Sequence, residues 1–425
     1  MAHPLAASIE EIRNAVLAHE FARFAQAERP LQDAVLESLH RSGELMPIFA
    51  EASAMVPFDG GYHLMASYGG YLSLQYALKR QEWSMFRPLT RRVLSDLAII
   101  QAQHKVQQEP DLATLLTEYP LAIDAKKPNV TDYCKAITRE AILNGGPAVW
   151  QKVLSFSFLA HELSVRGESA ISVERPLARG LEYMLGSRRL LKIVQIWDEI
   201  WTRVPLIDSD MYYHDSRLRR ALLDKNIDHA FRLIAASIKS GLSSKDVIGH
   251  FVKAMYDIDF SNPAQMVLLP IGLQALAAEN YDPRSREFQY AMARLAYDVM
   301  HFDRSPKERI EYDQISLLKS REILIDFRKG FLKGVFLQAW GIAEYAFVHG
   351  FEPAEILDEV YRVSAAIGKE PADNMLSLYH LWATADLIRQ LGEDYSLYVL
   401  AYSIRYLVRQ PKNKNLLDPF PDEQE

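Results

Sequence analysis

The residues of this chain with most chemistry to offer are polar side chains set inside apolar, helix-like stretches: His63, Tyr68, Arg175, Tyr379 and His380. A polar group buried in such a stretch costs on the order of a few kcal/mol unless it is paired, so its presence asks for a reason. Imidazole exchanges protons near neutral pH, which suits His63 and His380 to general acid or base work. Tyr68 and Tyr379 would orient or donate, and Arg175 would offer positive charge to an oxyanion. The competing reading makes Arg175 and its neighbour Glu174 exposed or locally paired, and the histidines satisfied core residues.

Other motifs narrow the field. The chain carries no Gly-x-x-x-x-Gly-Lys-Ser/Thr loop, no Gly-x-Gly-x-x-Gly turn and no Gly-x-Ser-x-Gly elbow. A di-iron bundle needs Glu-x-x-His on two helices. Only Glu37-Ser-Leu-His40 and the aspartate analogue Asp298-Val-Met-His301 approach it, so no metal site is assigned. Tyr62, Tyr68, Tyr71 and Tyr76 cluster around the pairs Gly60-Gly61 and Gly69-Gly70, which permit close backbone approach. These aromatics line a pocket for a flat organic ligand or fill the core. The basic pairs Lys79-Arg80, Arg91-Arg92 and Arg188-Arg189, and the run from Arg217 to Arg220, read as solvated helix faces.

The elements that must position these groups are helices. Apolar residues recur at three- and four-residue spacing, and strand-length alternation is hard to find. Ser8 with Glu11 predicts a helix start whose stripe runs through Ile12, Val16, Phe21 and Phe24. Ser243 or Ser244 predicts another start, and Pro353 suits a first helical turn. Breaks fall at Glu109-Pro110, between Tyr119 and Val130, between Pro205 and Ser216, and between Asp303 and Lys307.

A repeat organises these helices. Gly43, Gly146, Gly241 and Gly350 are spaced by 103, 95 and 109 residues, and each suits a helix end in the left-handed conformation. A methionine opens a third helix 25 residues after Gly241 and again 25 residues after Gly350, at Met266 and Met375. The expectation is an all-α chain of about four degenerate units of roughly 100 residues, packed into one helical-repeat or ring-like body. The units span about 8–110, 131–204, 216–303 and 308–409, with 411–425 a flexible tail. The third helix of each unit should be its most buried, bringing the candidate residues towards one cavity.

Composition sets outer bounds. The chain has 425 residues, 48 basic against 55 acidic side chains, a net charge of −7 and 49% hydrophobic residues. Length alone would suggest about three domains, which the glycine spacing replaces with four units in one body. Mild acidity spread along the chain argues against a nucleic-acid surface. Cys134 is the single cysteine, so no internal disulfide can form. No leader-like or membrane-spanning segment is evident, and a cytoplasmic protein is expected.

The segments His349-Gly-Phe-Glu-Pro-Ala-Glu-Ile-Leu357 and Met375-Leu-Ser-Leu-Tyr-His-Leu381 resemble the helical units of the questin oxidase-like family. The resemblance implies an all-helical fold and a flavin-independent oxygenase that uses NADPH for Baeyer–Villiger-type ring opening of aromatic polyketides. It also implies histidines on the helix corresponding to Met375–Leu387, matched here by His380 and more loosely by His63. The second and third units carry no histidine there. Two readings follow: an oxidoreductase-like enzyme with a pocket for an apolar or aromatic small molecule, or a non-catalytic helical scaffold that binds a protein partner.

Overall fold

The computed structural model describes residues 4–55, 63–80, 83–103, 111–123, 126–146, 149–167, 170–187, 192–205, 215–256, 258, 272–274, 276–278, 280–302 and 323–418. All regular elements among them are helices. The chain opens with α1 (Pro4–Leu17), α2 (Phe21–Gln26), α3 (Arg29–Ser42), α4 (Leu45–Met55), α5 (His63–Arg80) and α6 (Trp83–Gln103). Next come α7 (Leu112–Glu118), α8 (Val130–Asn144), α9 (Val149–Val165), α10 (Ala170–Ser187) and α11 (Lys192–Arg203). Then follow α12 (Asp215–Leu223), α13 (Ile227–Lys239), α14 (Ser244–Met255) and α15 (Arg286–His301). The last are α16 (Ile323–Lys333), α17 (Phe336–Val348), α18 (Pro353–Val363), α19 (Pro371–Leu391) and α20 (Glu393–Arg409).

Local sequence explains most helix ends. Ser243 caps α14 by accepting from the Asp246 amide, and Pro353 occupies the first turn of α18. Gly43, Gly241 and Gly350 adopt φ of 76°, 94° and 85°. In each case the following amide reaches back to a carbonyl in the last helical turn, as Phe351 does to Ala346 at 3.0 Å. The helix openings expected at Met266 and the break at Asp303–Lys307 lie outside the described residues.

Four local expectations are corrected. Ser8 lies inside α1, which already begins at Pro4. The stripe from Ile12 to Phe24 is divided between α1 and α2, because His19 turns left-handed (φ 60°) and Glu20 bonds back to the Ala15 carbonyl at 2.8 Å. Gly146 is not left-handed. The carbonyls there are taken by Arg294 on α15, whose guanidinium donates to Ala141 O at 2.8 Å, Ile142 O and Gly145 O at 2.5 Å, and Gly146 O at 3.4 Å. A side chain from another element does the work that a left-handed glycine does elsewhere. Finally, residues 411–418 of the expected flexible tail are pinned. Gly368 N donates to Pro411 O and Asn413 N to Ala366 O, both at 2.8 Å, and Asp418 pairs with Arg29, Arg87 and Arg91.

Burial also departs in part from expectation. α19, expected as the third helix of a fourth unit, is packed almost all round. In the stretch expected to form a second unit, the more deeply buried helix is α9 and not α10. α9 buries Trp150, Gln151 and an unbroken run from Val153 to Ala160, whereas α10 leaves Glu174 exposed.

The central contact joins α5 to α19, elements some 300 residues apart in the chain. Gly69, Ser73 and Ala77 recur at every fourth position of α5, laying one ridge of small residues along the helix. A Cβ on Gly69 would lie 2.1 Å from the Tyr379 Cβ, so only glycine fits at this crossing. Ser73 Oγ donates to the Leu378 carbonyl one turn on. Gly69→Ala is expected to destabilise the protein by at least ~2 kcal/mol in urea unfolding, through forced separation of the two helices. Gly186→Ala, where a Cβ meets nothing within 4 Å, is the control and should cost nothing.

A buried polar cluster ties α8, α9 and α15 together. Asp298 Oδ2 accepts from Trp150 Nε1 at 2.9 Å and Gln151 Nε2 at 2.8 Å. The Arg294 guanidinium lies 4.9 Å from the centre of the Trp150 ring. Burial pushes the Asp298 carboxyl up to about 6, against the opposing pull of Arg294 and the two donors. Between about pH 4 and 6 the folded state thus holds a proton that the unfolded chain has released, so ionisation costs stability as pH rises. The stability of the protein relative to its Asp298→Asn variant should fall by about 2–3 kcal/mol over that interval and stay level above it. Urea midpoints across the range check this, and a difference that rises with pH would contradict it.

Candidate functional site

Where α5 and α19 separate beyond their tight crossing, a cavity of about 460 Å³ opens. α5 contributes Leu72, Tyr76 and Lys79 to its wall, and α19 contributes Trp382, Asp386 and Arg389. Leu357 of α18 and Arg166, just past α9, complete the enclosure. The same geometry that seals the crossing with glycine makes this opening, since residues one to three turns on are large.

The aromatic walls are held from behind. Tyr76 stacks on Tyr361 with centroids 5.0 Å apart, and burial raises its hydroxyl above the ordinary tyrosine range. Trp382 is braced by Tyr379 and by Phe158 of α9, each at 5.8 Å. Rings fixed in this way can stack on a ligand with little further loss of freedom.

The rim is cationic but mostly compensated. Arg80 makes a two-pronged pair with Asp358, both contacts at 3.0 Å. Arg166 reaches Glu162 at 3.0 Å and also the Gln75 carbonyl oxygen. Arg389 pairs with Asp386 Oδ1 at 3.0 Å, while Oδ2 of that carboxylate accepts from Gln274 at 2.7 Å. Lys79 is exposed and has no carboxylate partner among the described residues.

The residues singled out by sequence do not all meet here. Tyr379 forms the crossing itself and backs Trp382; its hydroxyl lies towards Ser155, and burial raises it well above the usual range. His380 faces the other way, towards Tyr402 and Tyr406 of α20 at 6.3 and 4.6 Å. Among the described residues neither ring nitrogen of His380 has a hydrogen-bond partner, and burial pushes the imidazole down to about 3. The ring is therefore neutral at physiological pH and has no proton to give as an imidazolium. Arg175 is half-buried on α10, which packs on α4, α7, α8 and α9. The side chains of His63 and Tyr68 lie outside the described residues.

The metal-like pairs are also accounted for. Glu37 pairs with Arg41 at 2.8 Å, and His40 stacks on Trp83 at 4.2 Å. Asp298 points into the core, whereas His301 turns outward to the Tyr297 carbonyl at 2.8 Å. Among the described residues no three His, Cys, Asp or Glu side chains are grouped as a metal ion requires. Nor is any described helix long and apolar enough to cross a membrane.

Sequence reasoning included Tyr76 in its aromatic cluster but read Lys79-Arg80 as a solvated face, and it passed over Asp386 and Arg389. The signal was present. Positions 382, 385, 386 and 389 share one face of α19, and 72, 76 and 79 share one face of α5. Compared with protein-family models, curated proteins and solved structures, the chain matches none.

Because His380 is an unpaired polar group in an apolar site, His380→Leu should leave the thermal midpoint unchanged or raise it. A scan of both proteins by calorimetry checks this. A fall of several degrees would mean that the imidazole makes a stabilising bond to an internal water or ligand.

Proposed function

We propose that this protein is an enzyme acting on a small apolar or aromatic molecule held in the cavity between α5, α18 and α19. The observation that carries the reading is a partly open cavity of about 460 Å³ with two braced aromatic walls and a few convergent polar groups, the usual form of a small-molecule site. Its activity is of the flavin-independent, questin oxidase-like oxidoreductase kind, a reading that rests on the resemblance of the α18 and α19 sequences. The mild acidity of the chain suits a cytoplasmic setting.

Three contacts support four degenerate units gathered around α19 in a ring-like body. α19 meets the first unit at Gly69, the second through Phe158 and Trp382, and the third through Gln274 and Asp386. The central helix of the fourth unit then takes the place that a common axis would have.

NADPH enters only through the resemblance, and the cavity does not fit it. A dinucleotide phosphate brings several negative charges, whereas three of the four rim cations already face Asp358, Glu162 and Asp386. The cavity is therefore assigned to the organic substrate. Within it Trp382 and Tyr76 would hold a flat ring between them, Leu72 and Leu357 would exclude water, and Tyr379 would keep Trp382 in position.

The scaffold reading has less support. Among the described residues the large apolar side chains that are most exposed, Val165 and Val348, are single residues at the ends of α9 and α17.

Incubation of the purified protein in air with NADPH as reductant and a panel of aromatic phenols, quinones and acids, followed by mass spectrometry of the mixture, tests the proposal. Conversion of at least one compound is expected, and loss of conversion in Ala354→Trp, which fills the cavity from α18 without altering the core. Binding without conversion would overturn the enzyme reading. Absence of binding would overturn the cavity as a site.

A further inference from the structure

The ionic balance of the rim narrows the ligand class. Resting on the cavity as the binding site, we infer that its ligand is an aromatic monoanion, a flat ring system carrying one carboxylate, with Lys79 as the cation that receives the charge. Three observations converge on this.

The first is charge. Arg80 has both forks on Asp358, Arg166 is held by Glu162 and Gln75, and Arg389 is held by Asp386. An entering anion would find these guanidinium groups already balanced by carboxylates or hydrogen-bonded, and would reach only the N–H donors left over. Lys79 alone meets no such competition among the described residues, and it stands at the mouth of the cavity. One cation without a carboxylate partner among the described residues matches one negative charge. A polyphosphate would confront the three rim carboxylates instead.

The second is shape. Trp382 and Tyr76 are both fixed by rings behind them, at 5.8 and 5.0 Å. Flat walls that cannot rotate select a flat ligand over a branched aliphatic one of equal volume.

The third is the separation of apolar and polar lining. Leu72, Leu357 and Trp382 belong to the inner wall and are at most 5% exposed, whereas Lys79 and Arg389 are exposed at the rim. An amphiphile with an apolar body and one charged end matches that polarity, ring inward and carboxylate outward. Lys79 remains hydrated throughout, so the preference for the anion is about threefold rather than absolute.

Isothermal titration of the full chain with 2-naphthoate and with its neutral counterpart 2-naphthalenemethanol, at pH 7 and low salt, tests the inference. The acid should bind about threefold more tightly, and the advantage should shrink as salt is raised. Lys79→Met should remove the advantage while leaving the neutral ligand's affinity and the melting midpoint unchanged, and Lys79→Arg should restore it. Equal affinity for the two ligands, or an advantage untouched by Lys79→Met, would overturn the anion preference and leave the cavity standing. Failure of both ligands to bind would remove the cavity itself, and the inference with it.

Discussion

The crossing of α5 over α19 at Gly69 is the constraint on which the rest of the structure depends. Two helices from opposite ends of the chain come so close that a Cβ on one would lie 2.1 Å from the Cβ of Tyr379 on the other. Contacts this distant in sequence close a long loop, and they persist only where packing is good enough to offset the loss of chain freedom. The small residues of α5 supply that packing. Beside the crossing, larger residues on the adjoining faces of the two helices, among them Leu72, Tyr76 and Trp382, line the cavity.

A second constraint operates through charge. Arg294 and Asp298 lie one turn apart on α15, facing the end of α8 and the start of α9. Arg294 takes up carbonyls that a helix end normally leaves for water or for a left-handed glycine. Asp298 then meets the indole and amide donors beside it. Burying this many polar groups is tolerable because the Arg294 guanidinium and the Asp298 carboxylate both find partners, and the arrangement fixes how α8 and α9 sit against α15.

The all-helical class was legible because the apolar spacing of single helices is local information. Helix ends at Gly43, Gly241 and Gly350 were legible for the same reason, each being set by a backbone conformation that glycine adopts cheaply. Gly146 was not, because its environment is set by Arg294 from about 150 residues away. The site divided along the same line. Tyr76 was caught by local clustering, and Gly69-Gly70 by its evident permission for close approach. Lys79, Asp386 and Arg389 gain meaning only when α5 and α19 are brought side by side. His380 shows the converse: a histidine in an apolar helix invites a chemical reading, but the face of the helix it occupies decides its surroundings, and that face meets Tyr402 and Tyr406.

Hydrogen exchange of the native protein tests the central claim most directly. If the crossing holds the body together, amides of residues 69–77 in α5 and 376–387 in α19 should be protected to the same degree, and should exchange only with global unfolding. Exchange of the α5 amides at a much lower free energy, with α19 still protected, would show that the two helices open independently and would contradict the account.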